Sequence, residues 1–381
     1  MQNLLCSNCG GCPLRGLSEE QYQSDKLFNF KRVISSLKNP PIEFDESIFI
    51  KDGFRRRGEM EFCIEKKELK LGFNEAKSHN IVNIKTCSML TEKLNVLLPK
   101  LHDFIKEFSE IPVIIPKSKK HQERLFIRKG SIRFLEADNG IDIILILPLE
   151  INVEHRMLIS EFVNRNQEII RFSYKVNNSQ SETVVCVATP KLYIKEYDIE
   201  IPSETFLQAS KHAQDLMIEK VLDYLGTTTG KIADLFCGLG TFTYPLALNK
   251  DNKITSIDSS QSSLKGLEKN IASNQIQNVK VINRNLFKDP LDEEELKEFD
   301  AIVIDPPRAG AHEQCRKILE LTNNNKPKKI VFISCNPQTF VYDANLLIEA
   351  DYVLKNITLI DQFVYSHHSE LIALFTLNPE K

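Results

Sequence analysis

The pattern of apolar and polar positions changes character twice along the chain. From about residue 205 onward, short apolar runs alternate strictly with longer amphipathic stretches. Ile232–Phe236, Lys253–Asp258, Val279–Asn283, Ala301–Ile304, Ile330–Ile333 and Leu371–Phe375 read as strands, with helical segments between them. That alternation predicts βαβ units and a doubly wound α/β sheet. Between about 45 and 200 the runs Glu59–Ile64, Leu69–Phe73, Leu125–Arg128, Ile132–Phe134, Ile141–Leu147 and Thr183–Val187 predict a sheet-rich α+β region, interrupted by helices near 88–109 and 151–167. Ahead of it, Ser18-Glu-Glu-Gln21 is a capping box followed by Tyr22, Leu27, Phe30, Ile34 and Leu37. This predicts one amphipathic helix ending near Asn39-Pro40-Pro41. The expected organisation is therefore three segments, 1–44, 45–204 and 205–381.

Composition narrows the class. The chain has 381 residues, 42% hydrophobic and 27% charged, as expected of an ordinary globular protein. No apolar run approaches the length of a membrane span, and Met1-Gln-Asn-Leu-Leu-Cys6 does not read as a secretory signal. A cytoplasmic protein without a membrane or protein partner is expected. The net charge of −3 argues against wrapping nucleic acid over the whole surface, but not against a local basic face. Two such groups stand out: Phe54-Arg55-Arg56-Arg57-Gly58 before a strand, and Lys117–Arg124, including Lys119, in an expected loop. Arginines beside an aromatic suit phosphate and base contacts, although a charge run is often only a solvated face.

The nine cysteines are used unevenly, which suits a reducing compartment and a metal site better than a disulfide framework. Cys6-Ser-Asn-Cys9-Gly-Gly-Cys12 is a C-x2-C-x2-C run, with glycines where backbone must fold around sulfur ligands. Three thiolates at this spacing suit three irons of a cubane, with a fourth ligand from elsewhere. Cys87, in Asn83-Ile-Lys-Thr-Cys87, is the candidate. Zinc accepts the same ligands, but the second C-x2-C hook of a zinc ribbon is missing from the sequence. An iron–sulfur cluster joining residue 12 to residue 87, structural or RNA-contacting, is the favoured expectation.

The candidate chemistry of the C-terminal region sits at strand ends. Asp234-Leu-Phe236-Cys237-Gly238-Leu239-Gly240 follows the first strand and opens a helix, so a ligand could lie close to backbone N–H groups there. Asp258 ends the next strand, where an acid receives ribose hydroxyls. A dinucleotide site would require the third glycine of G-x-G-x-x-G, which is missing; with the later Asp-Pro-Pro turn, the pattern looks like an S-adenosylmethionine site. Asp305-Pro306-Pro307-Arg308 and Ser334-Cys335-Asn336-Pro337 end two further strands. Ligands of open α/β sheets bind outside the carboxyl ends of strands, so both turns should face one crevice. A cysteine there is placed for covalent chemistry. Taken alone, Cys335 reads more readily as a small apolar residue closing a buried strand, and the surrounding motifs reverse that reading.

Together these motifs resemble the RNA uracil-C5 methyltransferases, most closely the compact iron–sulfur members that modify 23S ribosomal RNA. The resemblance spans nearly the whole chain. It implies a class I methyltransferase fold, and a [4Fe-4S] cluster on Cys6, Cys9, Cys12 and Cys87. It also implies cofactor contacts at Gln208 in Phe206-Leu-Gln208, at Phe236, Gly238 and Asp258, and at Asp305, where cofactor and target base meet. Cys335 is the implied nucleophile and Glu370, in Asp361-Gln-Phe363…His368-Ser-Glu370, the implied general base. The chain departs from the family pattern in its short first cysteine gap, in Ser210 for an asparagine, and in Phe363-Val364-Tyr365-Ser366 for Phe-Pro-His-Thr. No room ahead of Cys6 is expected for an extra RNA-binding barrel. The implied reaction adds Cys335 to uracil C6, methylates C5, and eliminates the enzyme after Glu370 removes the C5 proton. The target base must leave its stack to reach such a crevice. Transfer RNA is the second substrate class to consider. An iron–sulfur nicotinamide-dependent reductase and a non-catalytic RNA-binding module are the more distant readings.

Overall fold

Capping and apolar periodicity set the local elements, and burial of their apolar faces sorts them into two units. A computed structural model describes residues 9–41, 44–118 and 121–378. One unit comprises the described residues up to Gly16 together with Lys51–Leu192, and the other Leu17–Ile50 with Tyr193–Lys381.

The first unit is built on a seven-stranded sheet. Its spatial order is Glu182–Cys186, Ile169–Val176, Gly140–Leu147, Lys129–Ala137, Arg57–Glu65, Glu68–Asn74 and Ile81–Asn83. The single parallel step, 140–147 beside 169–176, is bridged by the helix Val153–Arg165, as a parallel pair requires a crossover. That helix and Glu92–Phe108 bury Leu94, Leu98, Phe104, Phe108, Ile159 and Phe162 with the sheet residues Met60, Phe134, Ile143 and Phe172 in one core. The basic run expected in a loop belongs instead to a two-stranded hairpin, Pro112–Ser118 with His121–Phe126; Lys119 lies outside the described residues.

The second unit carries an eight-stranded sheet. In spatial order its strands are Ile48–Phe49, Tyr352–Asp361, Glu370–Leu377, Lys329–Ser334, Ala301–Ile304, Lys231–Leu235, Lys253–Asp258 and Val279–Asn283. The five strands from 329–334 to 279–283 run parallel, whereas 370–377 is antiparallel to both its neighbours. Helices cover both faces, so the central strands are apolar throughout, as in Ala301–Ile304, where every residue is buried. The expected doubly wound α/β sheet is present. The strand Tyr352–Asp361 was not read from the sequence.

The N-terminal helix, α1 (Glu19–Ile34), has the expected capping box of Ser18 and Gln21. It was expected with the cysteine segment. In the structure Phe30, Ile34 and the following Leu37 share the core of the second unit with Leu354, Ile357 and Phe375. Among the described residues no helix is long and apolar enough to cross a membrane.

Candidate active site

The glycine turn leaves the strand Lys231–Leu235 through Phe236, whose φ of 61° places a non-glycine residue in the left-handed region. Such backbone strain persists where surrounding packing holds it, commonly at ligand sites; here the Phe236 ring packs at 5.4 Å from that of Phe287. Gly238 follows with φ 55°, and a Cβ added there would meet no protein atom within 4 Å. The turn is thus open on the side where a ligand would approach. Asp258 braces it: its carboxylate accepts from Gly238 N at 2.9 Å and from Ser260 N at 2.7 Å. Asp234 lies beneath, fully buried, accepting from Thr243 Oγ1 at 2.5 Å.

The two proline-stiffened turns meet as expected. Asn336 caps the helix Pro337–Glu349 with Pro337 in its first turn, and its Nδ2 donates to Arg308 O at 3.2 Å. Thr339 Oγ1 donates to the same carbonyl, also at 3.2 Å. These bonds tie the Cys335 turn to the Asp305 turn. Burial, with Glu370 and Asp305 nearby, pushes the half-buried Cys335 thiol up to about 11, and Arg308 opposes the shift.

Glu370 begins the antiparallel strand beside Lys329–Ser334 and is only 3% exposed. Burial pushes its carboxyl up to about 7, while a hydrogen bond from Gln362 works the other way. Burial likewise raises Asp234 to about 7, and lifts Asp305 well above the ordinary range with help from Glu370 and Asp234. Gln362 Nε2 donates both to Glu370 Oε2 at 2.8 Å and to Gln208 Oε1 at 2.9 Å. Because a carboxylate only accepts, this contact fixes which way the Gln362 amide points.

The structure therefore joins Cys335, Glu370, Asp305 and Gln208 around one set of strand ends, with Phe236, Gly238 and Asp258 forming the adjoining turn. Ser210, the departure from asparagine, caps the helix Lys211–Leu225 by accepting from Ala213 N, and serine and asparagine cap about equally well. His368 is exposed, with Nδ1 3.1 Å from Arg308 Nη2. Sequence reasoning missed Gln362, Lys26 and Tyr22. Lys26 had a readable signal: it stands on the buried stripe Tyr22, Lys26, Phe30, Ile34, where a charge needs a partner.

In the other unit, Cys9, Cys12 and Cys87 line one cavity with Arg15, Arg55 and Met89. Gly11 N donates to Cys9 Sγ at 3.4 Å, and Asn95 holds the Cys87 backbone through bonds to its N and O at 2.7 and 2.9 Å. Cys6 lies outside the described residues. Among the described residues, no group of three or more His, Cys, Asp or Glu side chains is arranged to hold a metal ion.

A doubly wound sheet with an antiparallel strand set between 329–334 and 352–361, and a glycine turn beside a paired thiol and acid, defines an α/β methyltransferase. The chain belongs to the tRNA (uracil-5-)-methyltransferase family, whose model matches residues 18–376. It is 32% identical over 371 residues to an uncharacterized RNA methyltransferase of Agrobacterium fabrum, covering 96% of this chain and 82% of that one. It is 30% identical over 376 residues to the 23S rRNA (uracil(1939)-C(5))-methyltransferase RlmD of Mannheimia succiniciproducens, covering 97% and 80%. The crystal structure of Pyrococcus abyssi tRNA (uracil-54, C5)-methyltransferase with S-adenosyl-L-homocysteine matches with a TM-score of 0.71 at 23% identity. That match covers 96% of this chain and 86% of that one, and it shows the shared fold. The nicotinamide reductase and the non-catalytic module are set aside by this membership.

Proposed function

We propose that this protein methylates C5 of a uridine in RNA, using S-adenosyl-L-methionine, with 23S ribosomal RNA as the substrate. The observation that supports the reading is that the Cys335 thiol, the Glu370 carboxyl and Asp305 interact electrostatically at one set of strand ends. Uracil C5 is a weak nucleophile until a group adds at C6. Cys335, having given its proton to solvent, adds through Sγ as the thiolate and places an enolate across C5 and O4. The sulfonium of S-adenosyl-L-methionine supplies the methyl group. Glu370 then takes the C5 proton, and the C6–S bond breaks to return the thiolate. Burial raises Asp234 and Glu370, and both of them further raise Asp305, so a cationic ligand beside Asp305 would relieve that repulsion.

Arg308 lowers the cost of the Cys335 thiolate. In the first unit, burial together with Arg55, Arg56 and Arg133 pushes Arg57 down to about 10, and a cluster of guanidiniums sharing one region suits phosphate. Incubation with labelled S-adenosyl-L-methionine and separate ribosomal and transfer RNA, followed by mapping of 5-methyluridine, tests the reading. Label in 23S RNA supports it. Label only in transfer RNA selects the second substrate class, and label in neither overturns both.

Because Glu370 must be ionised to act and titrates near 7, turnover should rise as pH passes upward through about 7 and fall below it. A flat profile between about 6 and 8 would mean that proton removal by Glu370 does not limit turnover.

Asp258→Ala removes the acceptor of two backbone N–H groups as well as the expected ribose contacts. S-adenosyl-L-methionine should bind about 1.5–3 kcal/mol more weakly by calorimetry. Asp258→Asn, which keeps one acceptor, should recover part of the loss.

Cys9, Cys12 and Cys87, with Cys6, are proposed to hold a [4Fe-4S] cluster; the shared cavity and the Gly11 N–H···S bond support this donor set. Anaerobically purified protein should contain about four irons per chain. Stoichiometric zinc instead would overturn the assignment.

A further inference from the structure

The segment between the strands Tyr352–Asp361 and Glu370–Leu377 carries His368 and delivers Glu370. It has Val364 where the resembling pattern has proline, so no ring fixes its φ. Tyr365 within it adopts a left-handed φ of 56°. Such a loop needs holding from outside, and one helix does so. Lys26 of α1 is 3% exposed at its side chain, and Asp361 0%. The Lys26 ammonium lies 2.7 Å from Asp361 Oδ1 and donates to Ser366 O at 2.9 Å and to His368 O at 2.5 Å. Two of the ammonium's three donors go to loop carbonyls, and Asp361 stands against it as an ion pair. One turn earlier on the same face of α1, the Tyr22 hydroxyl donates to Asp361 Oδ2 and accepts from Tyr365 N at 2.9 Å. Its ring packs 4.8 Å from that of Tyr365.

We propose that Lys26, Tyr22 and Asp361 are positioning residues for the proton-removal step: they clamp the 362–369 loop so that Glu370 meets the C5 proton of the methylated base. The proposal rests on the reading of Glu370 as the base. A surface ion pair would add little, but here two backbone carbonyls of a catalytic loop are bonded to a buried cation on an element from the opposite end of the chain. Burial lowers the affinity of Lys26 for its proton, and Asp361 offsets part of that loss; removing either partner would leave the other buried without its countercharge.

Lys26→Met should lower kcat at least tenfold while KM for RNA and affinity for S-adenosyl-L-methionine change by less than about twofold. The covalent enzyme–RNA adduct should persist longer, because elimination rather than addition is slowed. Lys26→Met leaves Asp361 buried without its countercharge and could unfold the protein, so two further variants carry the test. In Lys26→Met/Asp361→Asn the orphaned charge is gone; thermal stability should return toward wild type, yet kcat should stay low because the Ser366 and His368 carbonyls remain unclamped. Tyr22→Phe keeps the ion pair and should lower kcat three- to tenfold with the same adduct signature. Recovery of kcat together with stability in the double variant, or wild-type turnover by Tyr22→Phe, would show the cluster to be structural only. If instead Glu370→Gln forms no adduct at all, the assignment of the base fails, independently of the clamp.

Discussion

Glu370→Gln is expected to stop the enzyme after methyl transfer and leave it covalently attached to its RNA. Glutamine preserves the shape and can still meet the Gln362 amide after that amide turns, but it cannot accept the C5 proton. Addition of Cys335 and methylation of C5 do not require a base at this position, whereas elimination does. A denaturing gel of the variant with labelled RNA and S-adenosyl-L-methionine should show a slow, protease-sensitive band within one turnover, and 5-methyluridine release should fall at least a thousandfold, a general-base loss at the upper end of the usual range. The site's electrostatics support an arrest this specific. Glu370 titrates near 7 because it is buried, so it is a far better proton acceptor at neutral pH than an exposed carboxylate. Release of methylated RNA at wild-type rate would mean that another group removes the proton.

Cys335→Ala is expected to abolish methylation below detection while S-adenosyl-L-methionine binds within about twofold of wild type. In the proposed reaction the thiol acts on the base, and the ties of its turn, through Asn336 and Thr339 to Arg308 O, are made by its neighbours and survive the change. In the Cys335→Ala/Glu370→Gln double variant the adduct of the single variant should vanish. An adduct that survives the loss of Cys335 would place the nucleophile elsewhere. Burial, Glu370 and Asp305 push the thiol up to about 11 even with Arg308 opposing, so the added positive charge of a bound cationic cofactor is expected to favour the thiolate. A thiolate probe such as iodoacetamide should accordingly label Cys335 faster once S-adenosyl-L-methionine is bound than before, and unchanged or slower labelling would count against this coupling.

How much of this was legible in the sequence depended on which physical signal each element carries. The parallel strands were readable because both their faces are buried: Ala301–Ile304 and Lys329–Ser334 are apolar almost throughout. Tyr352–Asp361 was not, because Lys355, Asn356, Thr358 and Asp361 break the run and a register shift falls between Leu354 and Asn356. Its polar residues find partners only in three dimensions, such as Asp45 for Asn356 and Thr358. The same limit applies at the site. Cys335 and Asp305 announce themselves beside prolines at strand ends, and the two turns do meet. Gln362 has no local signature, since its significance lies in bonds to Gln208 and Glu370, 154 and 8 positions away. Segment boundaries drawn from composition likewise could not place α1, whose apolar stripe says that it is buried but not against what.

That placement of α1 constrains how the chain can be made. Tyr22 and Asp361 are 339 positions apart, and Ile48–Phe49 pairs with Ile360 and Asp361, so the second unit is sewn from segments that flank the main segment of the first in sequence. At about 5–20 residues per second on the ribosome, the helix emerges roughly 20–70 s before its docking strand exists. Throughout that interval Phe30 and Ile34 have no core to enter, while the intervening sheet of residues 51–192 can already close on itself. A fragment beginning at residue 205 would lack both the edge strand and the helix whose Lys26 and Tyr22 hold residues 365–368. Recombinant truncation of the N-terminus, intended to remove only the cysteine segment, should therefore stop before Leu17 if the methyltransferase unit is to keep its last turn.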